Sequence, residues 1–437
     1  MLSSIHIINF KSITDLIVDF SYNEAAPANS DKLDIIPFLK PTTKTKDRTS
    51  SVSMFYGANA SGKTTITQAL IAFKMLIGSN SVQEAILNLE NAYNPNKLHN
   101  LDDISSISIS FFTNNKKYSY KIAYNSNEIK EEVLEREGLK NPIFMVKNSK
   151  VLKSLTGSRT TSSSKIIDIF EEQAIINGKQ VRSFMNIIVN ALPGLKNEAI
   201  DAFNYLKQKT ITLNALGKVP REDIIKLLAK SNSEEDINNA FSDISNMIRK
   251  IDIEISRLEF TTKYVPQNSD GSFQMIPDEK VTYDILNKTA HYKKLTSYHT
   301  HSDGHEVEFD FNKEESFGTQ VAFTLIGAIL KILRDGGTLV VDEIDASLHT
   351  LVLQELIKMF KLRDINTNKS QLICTLHDTS LLENNIYRVS EFSFVDKSPE
   401  EGTFITRLSN IDGEKNELNF RKRYIKGNYF GIPYPYL

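Results

Sequence analysis

The sequence is short of the features that mark secreted and membrane proteins. Its 437 residues include one cysteine, Cys374, which excludes an internal disulfide and suits a reducing cytosol. No apolar run approaches the roughly 20 residues of a bilayer-spanning helix, and the N-terminus lacks the pattern of a signal peptide. We therefore expect a soluble, cytoplasmic protein without a membrane partner.

The sequence also lacks an excess of either charge. The 52 basic and 54 acidic side chains nearly cancel, so any nucleic-acid surface would have to be a local patch. Candidate patches are the basic runs 40–48 and 421–426, and only the second contains an aromatic residue, Tyr424, that could stack on a base. Such runs are more often solvated surface, so DNA contact stays an open alternative.

The first third of the chain has the pattern of strands with one helix. Two short strands flank a turn at Lys11 to Thr14, and residues 106–124 alternate like an antiparallel hairpin around Asn114 and Asn115. Between them, residues 23–50 are typical of a long surface loop. An apolar strand at 51–56 then enters a glycine-rich turn that is followed by a helical pattern at 64–77.

Residues 165–258 are mostly helical in pattern, after a polar stretch at 156–164. Ser233 and Asp236 predict a helix N-terminus. From there a heptad seam continues for about three heptads, which favours one helix of a small bundle; its residues are Ile237, Phe241, Ile244, Ile248, Ile251, Ile255 and Leu258. Strands and loops return from 261, and 316–396 alternates helix and strand as parallel α/β units do.

The glycine-rich turn, GANASGKT at 57–64, matches a phosphate-binding loop between a strand and a helix. Backbone N–H groups and the helix N-terminus would hold the phosphates, with Lys63 bridging β and γ and the Thr64 hydroxyl on Mg²⁺. A chance match is improbable in this context, so ATP and Mg²⁺ are the expected ligands. The predicted nucleotide contacts here are Gly57, Ala58, Asn59, Ala60, Ser61, Gly62, Lys63, Thr64 and Thr65.

Two later strands each end in candidate catalytic groups. TLVVDEID delivers Asp342 to the ligand-binding end of a parallel strand, where it would hold Mg²⁺, and Glu343 would polarise the attacking water. The alternative is an ordinary polar exit from the core, which a phosphate loop in the same chain makes weak. QLICTLHD places His377 after the neighbouring strand, where an imidazole can hydrogen-bond the γ-phosphate.

This order of motifs resembles that of ATP-binding-cassette (ABC) ATPases. SFGTQ at 316–320 occupies the place of their signature motif, so the resemblance implies that Ser316 and Gly318 contact the γ-phosphate held by a second subunit. A plain helix N-cap explains the same residues and is compatible with that role. Phe317 and Thr319 stand where transporters have glycines, and no Q-loop glutamine can be placed between 84 and 118.

The chain is most similar to compact ATPases related to the SMC and overcoming-lysogenisation-defect groups, in particular the RloA-like family. The phrases INFKS, YGANASGKT, ESFGTQ, VVDEIDASLH and the closing RKRYIKGNYFGIPYPYL carry this resemblance. It implies an α/β fold: an ABC-type core, with a mixed and parallel sheet plus an N-terminal antiparallel β-subdomain, and an inserted helical lobe. It also implies that Lys11 contacts the nucleotide, although a solvated turn lysine explains that residue almost as well.

The expected domains are 1–155 for the N-terminal half of the core, 156–260 for the helical insertion and 261–437 for the C-terminal half. The resemblance implies a slow ATPase that forms a homodimer or higher oligomer around ATP and controls a separate toxic effector, often a Toprim-type nuclease, in anti-phage defence. The sequence shows no effector chemistry of its own: no second acidic cluster with metal spacing, no Cys/His array and no serine–histidine triad. The alternatives are a DNA-repair ATPase that clamps DNA and, less favoured by the signature, a transporter subunit.

Overall fold

The computed structural model describes residues 1–22, 35–88, 92–97, 103–153, 161–191, 198–214, 219–231, 233–251, 255–270, 272–275, 281–284, 289–383, 386–411 and 420–432. It divides into two compact units. Unit 1 comprises 1–214, 335–344 and 357–437, and unit 2 comprises 215–334 and 345–356.

Unit 1 is built on a sheet of 13 strands in the order β11-β16-β17-β3-β18-β19-β2-β1-β4-β5-β6-β7-β8. Its N-terminal strands are β1 (Leu2–Phe10), β2 (Ile13–Asp19), β3 (Val52–Tyr56), β4 (Ser105–Thr113), β5 (Lys116–Tyr124), β6 (Ile129–Arg136), β7 (Phe144–Lys147) and β8 (Lys150–Lys153). The later strands are β11 (Thr210–Leu213), β16 (Thr338–Val341), β17 (Gln371–Thr375), β18 (Phe392–Ser398) and β19 (Gly402–Arg407). A two-stranded ribbon, β9 (Ile175–Ile176) and β10 (Lys179–Gln180), accompanies them.

The sheet has a parallel part and an antiparallel part. Strands β11, β16, β17, β3 and β18 pair in parallel, and the rest of the sheet from β19 to β8 is antiparallel. The predicted hairpin is confirmed, with Asn114 and Asn115 both at positive φ as a two-residue turn requires. The predicted combination of a mixed sheet and an antiparallel subdomain is therefore confirmed.

The helices of unit 1 bury the apolar faces of this sheet. They are α1 (Lys63–Gly78), α2 (Val82–Asn88), α3 (Thr161–Ala174), α4 (Phe184–Ala191), α5 (Glu198–Gln208) and α11 (Phe420–Ile425). Phe73 of α1 packs edge-on against Tyr120 of β5, with ring centroids 5.1 Å apart, and both side chains are fully buried. This contact anchors the helix that follows the phosphate loop on the antiparallel part of the sheet.

Unit 2 combines a smaller antiparallel sheet with helices. Its strands are β12 (Arg257–Tyr264), β13 (Thr282–Asp284), β14 (Thr289–Thr300) and β15 (Glu306–Asp310), and β14 pairs with each of the others. Its helices are α6 (Arg221–Leu228), α7 (Glu234–Lys250), α8 (Phe311–Glu314) and α9 (Phe317–Asp335, whose last residue falls in unit 1). Helix α10 (Thr350–Lys358) begins in unit 2 and ends in unit 1.

The structure divides the chain differently from the predicted boundaries. Helices α3 to α5 belong to unit 1, and β11, which follows them, is the edge strand beside β16 in the main sheet. The segment 156–260 is therefore not one insertion, because its first half completes the core. The segment 261–437 is also divided, since α9 and the signature residues lie in unit 2.

The heptad seam ends earlier than its periodicity predicts. Ser233 caps α7 as expected, accepting a 3.2 Å hydrogen bond from the Asp236 N–H. The helix stops at Lys250, and Leu258 already lies in β12. Ile251, Ile253 and Ile255 also alternate with polar residues, and this period of two is typical of a strand, so the sequence after Lys250 fits both structures.

Two further expectations need correction. Helix α9 is long and apolar enough to cross a membrane by length and composition, but 67% of its most apolar 18-residue window is buried, as in the core helix of a globular domain.

The tip of hairpin β14–β15 brings His301, Asp303 and His305 together, a cluster that the sequence pattern did not predict. Of residues 23–50, those at 23–34 lie outside the described residues.

Candidate nucleotide site

The phosphate loop lies at the carboxyl end of β3, and α1 begins directly after it at Lys63. Gly62 has φ of 109°, and a Cβ there would lie 2.3 Å from the Thr403 hydroxyl. A side chain is thus excluded both by the backbone conformation and by the neighbouring strand β19. The loop itself follows from the sequence, but the contact with Thr403 does not.

A cavity of about 320 Å³ opens over this loop. It brings together groups that lie far apart in sequence, and all of them belong to unit 1. Its lining consists of Ser12, Ala58, Asn59, Ala60, Ser61, Gly62, Lys63, Thr64, Thr65, Glu343 and His377. The loop, the predicted general base and the predicted phosphate-contacting histidine therefore share one cavity, and Gly57 lies directly beside it at the loop's start.

Two side chains of the loop have properties that fit a phosphate ligand. The Lys63 ammonium group is buried and donates to the carbonyl oxygens of Gly57 and Ala58 at 2.7 and 3.1 Å. The Ser61 hydroxyl is buried and has no hydrogen-bond partner among the described residues. An orphaned buried hydroxyl beside a lysine is a feature that a phosphate oxygen would satisfy.

The two acids at the end of β16 are held by one hydroxyl. The Thr375 hydroxyl donates to Asp342 Oδ1 at 2.7 Å and accepts from the Glu343 backbone N–H at the same distance. Glu343 has φ of 50°, a left-handed conformation that costs free energy for a residue other than glycine. The parallel register of β16 and β17 supplies this contact, because it sets Thr375 beside the residue that follows Val341.

Asp342 and Thr64 offer the hard oxygen donors that Mg²⁺ prefers. Asp342 Oδ1 accepts the hydrogen bond from the Thr375 hydroxyl, which orients the carboxylate. Thr64 lines the cavity, whereas Asp342 lies immediately before the lining residue Glu343. These residues fit the ion, which would neutralise phosphate charge when bound.

His377 lies close to Glu343, as the strand order predicts. Its Nε2 atom is 3.8 Å from Glu343 Oε1, and both side chains are about half exposed to solvent. This separation leaves room for a small bridging group between the imidazole and the carboxylate. The pair can therefore act on an atom placed between them, such as a phosphate oxygen or a water.

Lys11 lies beside the site and faces α1. Its ammonium group donates to the Gln68 side chain on α1, and burial lowers its pKa. The neighbouring Ser12, which was not predicted, lines the cavity and accepts a 2.8 Å hydrogen bond from the Thr403 hydroxyl. The contact of Lys11 with the nucleotide therefore remains a prediction, and Ser12 is the better-placed residue of this turn.

Ser316 and Gly318 lie at the start of α9 in unit 2. The Ser316 hydroxyl accepts a 3.1 Å hydrogen bond from the Thr319 N–H, which is the geometry of an N-cap. A Cβ at Gly318 would lie 2.7 Å from the Ser347 carbonyl oxygen, so the glycine permits a close backbone approach. Ser316 and Phe317 are both exposed, and the helix N-terminus is accessible to an anion.

Gly431, near the C-terminus, lies against the start of the phosphate loop. A Cβ at Gly431 would lie 3.1 Å from the Cα of Gly57, and the Gly431 N–H donates to Asp396 at 2.9 Å. Tyr424 stacks on Phe394 of β18 with ring centroids 5.0 Å apart. Gly431, within the closing phrase that the resemblance singled out, thus packs against the start of the loop, a role that sequence alone did not indicate.

The solved structures that are similar to this chain include two SMC head domains. Among solved structures the chain is similar to the SMC head domain from Thermotoga maritima, at 12% identity and a TM-score of 0.39, covering 93% of this chain and 98% of that one. It is also similar to the SMC head domain with an extended coiled coil bound to the C-terminal domain of ScpA from Pyrococcus furiosus, at 10% identity and a TM-score of 0.44, covering 93% and 95%.

A search of curated proteins finds no significant match. A family model described as "AAA domain, putative AbiEii toxin, Type IV TA system" matches residues 52–383, which is most of the chain and includes every predicted site residue except Lys11. The matched range begins at the strand before the phosphate loop and ends after His377. The chain belongs to this AAA-domain family.

Proposed function

We propose that this protein binds and hydrolyses ATP, and that ATP held between two subunits controls its assembly. The observation that supports this most directly is the single cavity shared by the phosphate loop, Glu343 and His377. In it, Lys63 holds the β- and γ-phosphates, Glu343 orients the attacking water and His377 hydrogen-bonds the γ-phosphate. Thr64 and Asp342 hold Mg²⁺.

The proposed assembly uses the N-terminus of α9 as the second half of the site. The Ser316 hydroxyl caps the Thr319 N–H at the start of α9, and a helix N-terminus carries partial positive charge. Presented to a γ-phosphate on another subunit, it would complete the coordination of that phosphate. Hydrolysis is then slow in a lone subunit, because half of each site is missing.

The proposed role of the assembly is to hold or release a separate toxic effector, such as a Toprim-type nuclease, in anti-phage defence. The family description refers to a toxin–antitoxin system, which is compatible with this role. Apart from the nucleotide cavity and the hairpin cluster, the described residues contain no further group of His, Cys, Asp and Glu with the spacing of a metal site. A separate effector would supply the missing chemistry.

A DNA-clamping ATPase is the alternative, and two observations weaken it. Tyr424 is buried and its hydroxyl donates to the Gly431 carbonyl, so it is not available to stack on a base. In the run 40–48, Lys44 pairs with Glu137 at 3.0 Å and Arg48 lies over the Phe38 ring at 4.6 Å. Lys422 and Lys426 remain exposed, and a DNA-binding test as a function of salt covers them.

The proposal is tested with three variants, measured by nucleotide titration and by mass measurement of the particles. Lys63→Ala should weaken ATP binding by at least about tenfold, since it removes the charge on the phosphates. Glu343→Gln should bind normally and accumulate the ATP-bound assembly, with hydrolysis reduced by roughly 10²–10⁴-fold. Ser316→Arg should bind ATP as a single subunit and fail to assemble.

Lys397→Ala, at an exposed lysine outside the cavity, serves as the matched control. A Glu343→Gln protein that stays monomeric in excess ATP and Mg²⁺ contradicts assembly through nucleotide.

Co-expression with the neighbouring gene product tests the proposed effector. A complex of the two proteins that depends on nucleotide supports the proposal. A lone dimer that binds DNA ends only with ATP supports the clamp instead.

A further inference from the structure

The tip of hairpin β14–β15 gathers three side chains with metal-ligating atoms, namely His301, Asp303 and His305. One ligand atom from each residue lies within 4.8 Å of the others. We propose that these three residues form a binding site for a divalent first-row transition metal such as Zn²⁺. The site lies within unit 2 and does not depend on the proposed ATPase function.

The ligand atoms converge on the carboxylate at the centre of the turn. His301 Nδ1 is 3.0 Å from Asp303 Oδ1, and His305 Nδ1 contacts the same oxygen. The two imidazole rings stack at 4.7 Å between centroids and 24° between planes. Two imidazoles that share one carboxylate oxygen offer two nitrogens and one oxygen at a common point, and small rotations of the exposed side chains would direct all three at an ion.

The backbone holds these residues in place before any ion binds. The His301 N–H donates to the His305 carbonyl at 2.8 Å, and the Gly304 N–H donates to the His301 carbonyl at 2.9 Å. Gly304 has φ of 91°, which closes the turn without strain only for glycine. Strand pairing continues from Thr300 and Glu306, so the ligands project from a closed hairpin and not from a free loop.

The centre of the cluster carries a negative charge at neutral pH. The His305 backbone N–H donates to Asp303 Oδ1 at 3.2 Å. Metal binding uses the carboxylate form of Asp303 and a lone pair on each imidazole nitrogen, so ligation releases any proton that these atoms carry.

The donor set indicates the class of metal. Imidazole nitrogens suit Zn²⁺, Ni²⁺, Co²⁺ and Cu²⁺, whereas Mg²⁺ and Ca²⁺ prefer oxygen ligands. Three protein ligands also leave a fourth position for water or for a group from another molecule. The side chains are 52%, 58% and 59% exposed for His301, Asp303 and His305, so an ion can reach them from solvent.

A bound ion would brace the two strands that lead to the signature region. His299, two residues before His301 on β14, places Nε2 2.7 Å from Glu315 Oε1. Glu315 directly precedes Ser316, and β15 connects to it through α8. Cross-linking the hairpin tip would therefore restrict the strands on which the position of Glu315 depends.

The test uses the full-length, tag-free chain, stripped of metal and nucleotide, with Mg²⁺ in excess so that oxygen sites are occupied. Zn²⁺ is titrated against a chromophoric chelator, and Co²⁺ is followed by its visible absorption. Cys374 is buried and offers no competing thiolate at the surface. We expect one Zn²⁺ per chain, weakened by on the order of 100-fold in His301→Ala/His305→Ala and by at least about tenfold in Asp303→Asn.

His6→Ala is the matched control, because His6 pairs with Asp15 at 2.7 Å and belongs to no three-ligand group among the residues that the structure describes. It should bind Zn²⁺ like the wild type. Equal binding by wild type and the double variant overturns the proposal, as does the absence of any wild-type binding. A second measurement needs no variant: Co²⁺ should shift the imidazole proton resonances of two histidines in the wild type, and unshifted histidine signals at saturation would also overturn it.

Discussion

The Thr375 hydroxyl bridges the two acids at the end of β16, donating to Asp342 and accepting from the Glu343 N–H, each at 2.7 Å. This bridge holds the carboxylate of Asp342, which we propose binds Mg²⁺. It also holds the backbone of Glu343, the proposed general base. Thr375 is itself buried at the end of β17. One side chain on the neighbouring strand therefore determines the arrangement of both acids.

Replacing Thr375 with valine keeps its shape and removes this bridge. The Glu343 N–H loses its partner, which costs about 1–3 kcal/mol, and Asp342 loses the donor that orients it. We expect ATP hydrolysis to fall by at least about tenfold while ATP binding measured without Mg²⁺ changes little. Steady-state phosphate release and nucleotide titration measure the two effects.

Thr375→Ser retains the hydroxyl and is the control for this change. It should keep most of the hydrolysis rate. If valine and serine variants hydrolyse ATP equally well, the bridge has no part in the reaction.

The parts of this site that the sequence predicted are those with a strong local pattern. The phosphate loop carries glycines at fixed spacing between a strand and a helix, and Asp342 and Glu343 end an apolar strand. By contrast, Ser12, Thr375 and Thr403 are small polar residues of a kind found throughout the chain. They reach the site through strand register and contacts between distant segments, such as the 2.8 Å bond from Thr403 to Ser12, which no local pattern encodes.

The errors have a similar physical origin. The seam from Ile237 to Leu258 was predicted as one helix because its spacing is helical, yet β12 begins at Arg257. The helical stretch 165–208 was assigned to an insertion because nothing local shows that β11 joins the main sheet beside β16. In both cases tertiary pairing decides the outcome, and periodicity alone does not contain that information.

Gly318→Ala tests why glycine occupies the second position of α9. A Cβ would lie 2.7 Å from the Ser347 carbonyl oxygen, and Ser347 itself has φ of 64°. Since the contact is with backbone, relief requires one of the two segments to move, at a cost of about 1–3 kcal/mol. We expect a lower midpoint of thermal unfolding without nucleotide, followed by far-UV circular dichroism.

Gly138→Ala is the contrasting case: a Cβ there meets nothing within 4 Å but φ is 88°, so any loss of stability comes from backbone strain and not from a contact. If Gly318→Ala unfolds like the wild type and fails only in ATP-dependent assembly, the glycine serves the second subunit's phosphate and not the packing on Ser347.

Lys74 of α1 predicts a pH-dependent contribution to stability. Its ammonium group donates to the Thr210 carbonyl, and burial together with the nearby charge of Lys207 lowers its pKa to about 8. The folded state therefore binds fewer protons than the unfolded state between this value and the ordinary 10.5. The free energy of unfolding should rise with pH through that window, because the cost of a buried charge is present below it and disappears above it.

Lys74→Met removes this group while keeping most of its volume. We expect the variant to be more stable than the wild type at pH 7, by on the order of 1–3 kcal/mol, with the difference shrinking toward pH 10. Urea unfolding of both proteins across this range gives the difference directly. Lys46→Met, at an exposed lysine, should show no such trend, and a pH-independent difference for Lys74→Met would contradict the assignment.

A fully buried ion pair gives the sharpest test of the core of unit 1. Lys361 Nζ is 2.5 Å from Glu391 Oε1, and neither side chain is exposed. The other Glu391 oxygen accepts a 2.8 Å hydrogen bond from the Arg388 N–H. Lys361→Met removes the ammonium group beside the buried Glu391 carboxylate, which we expect to lower the free energy of unfolding by about 3–5 kcal/mol.

The double variant Lys361→Met/Glu391→Met distinguishes the loss of the ion pair from the loss of packing. If the lost attraction between the two charges causes the destabilisation, removing the carboxylate as well should restore part of the stability, because apolar replacement of both partners is often close to neutral. The Arg388 N–H then lacks its acceptor, so recovery should fall short of the wild type by about 1–3 kcal/mol. Urea unfolding of the two single variants and the double variant completes the cycle. Additive losses would mean that the two residues contribute independently and that the pair is not the origin of the effect.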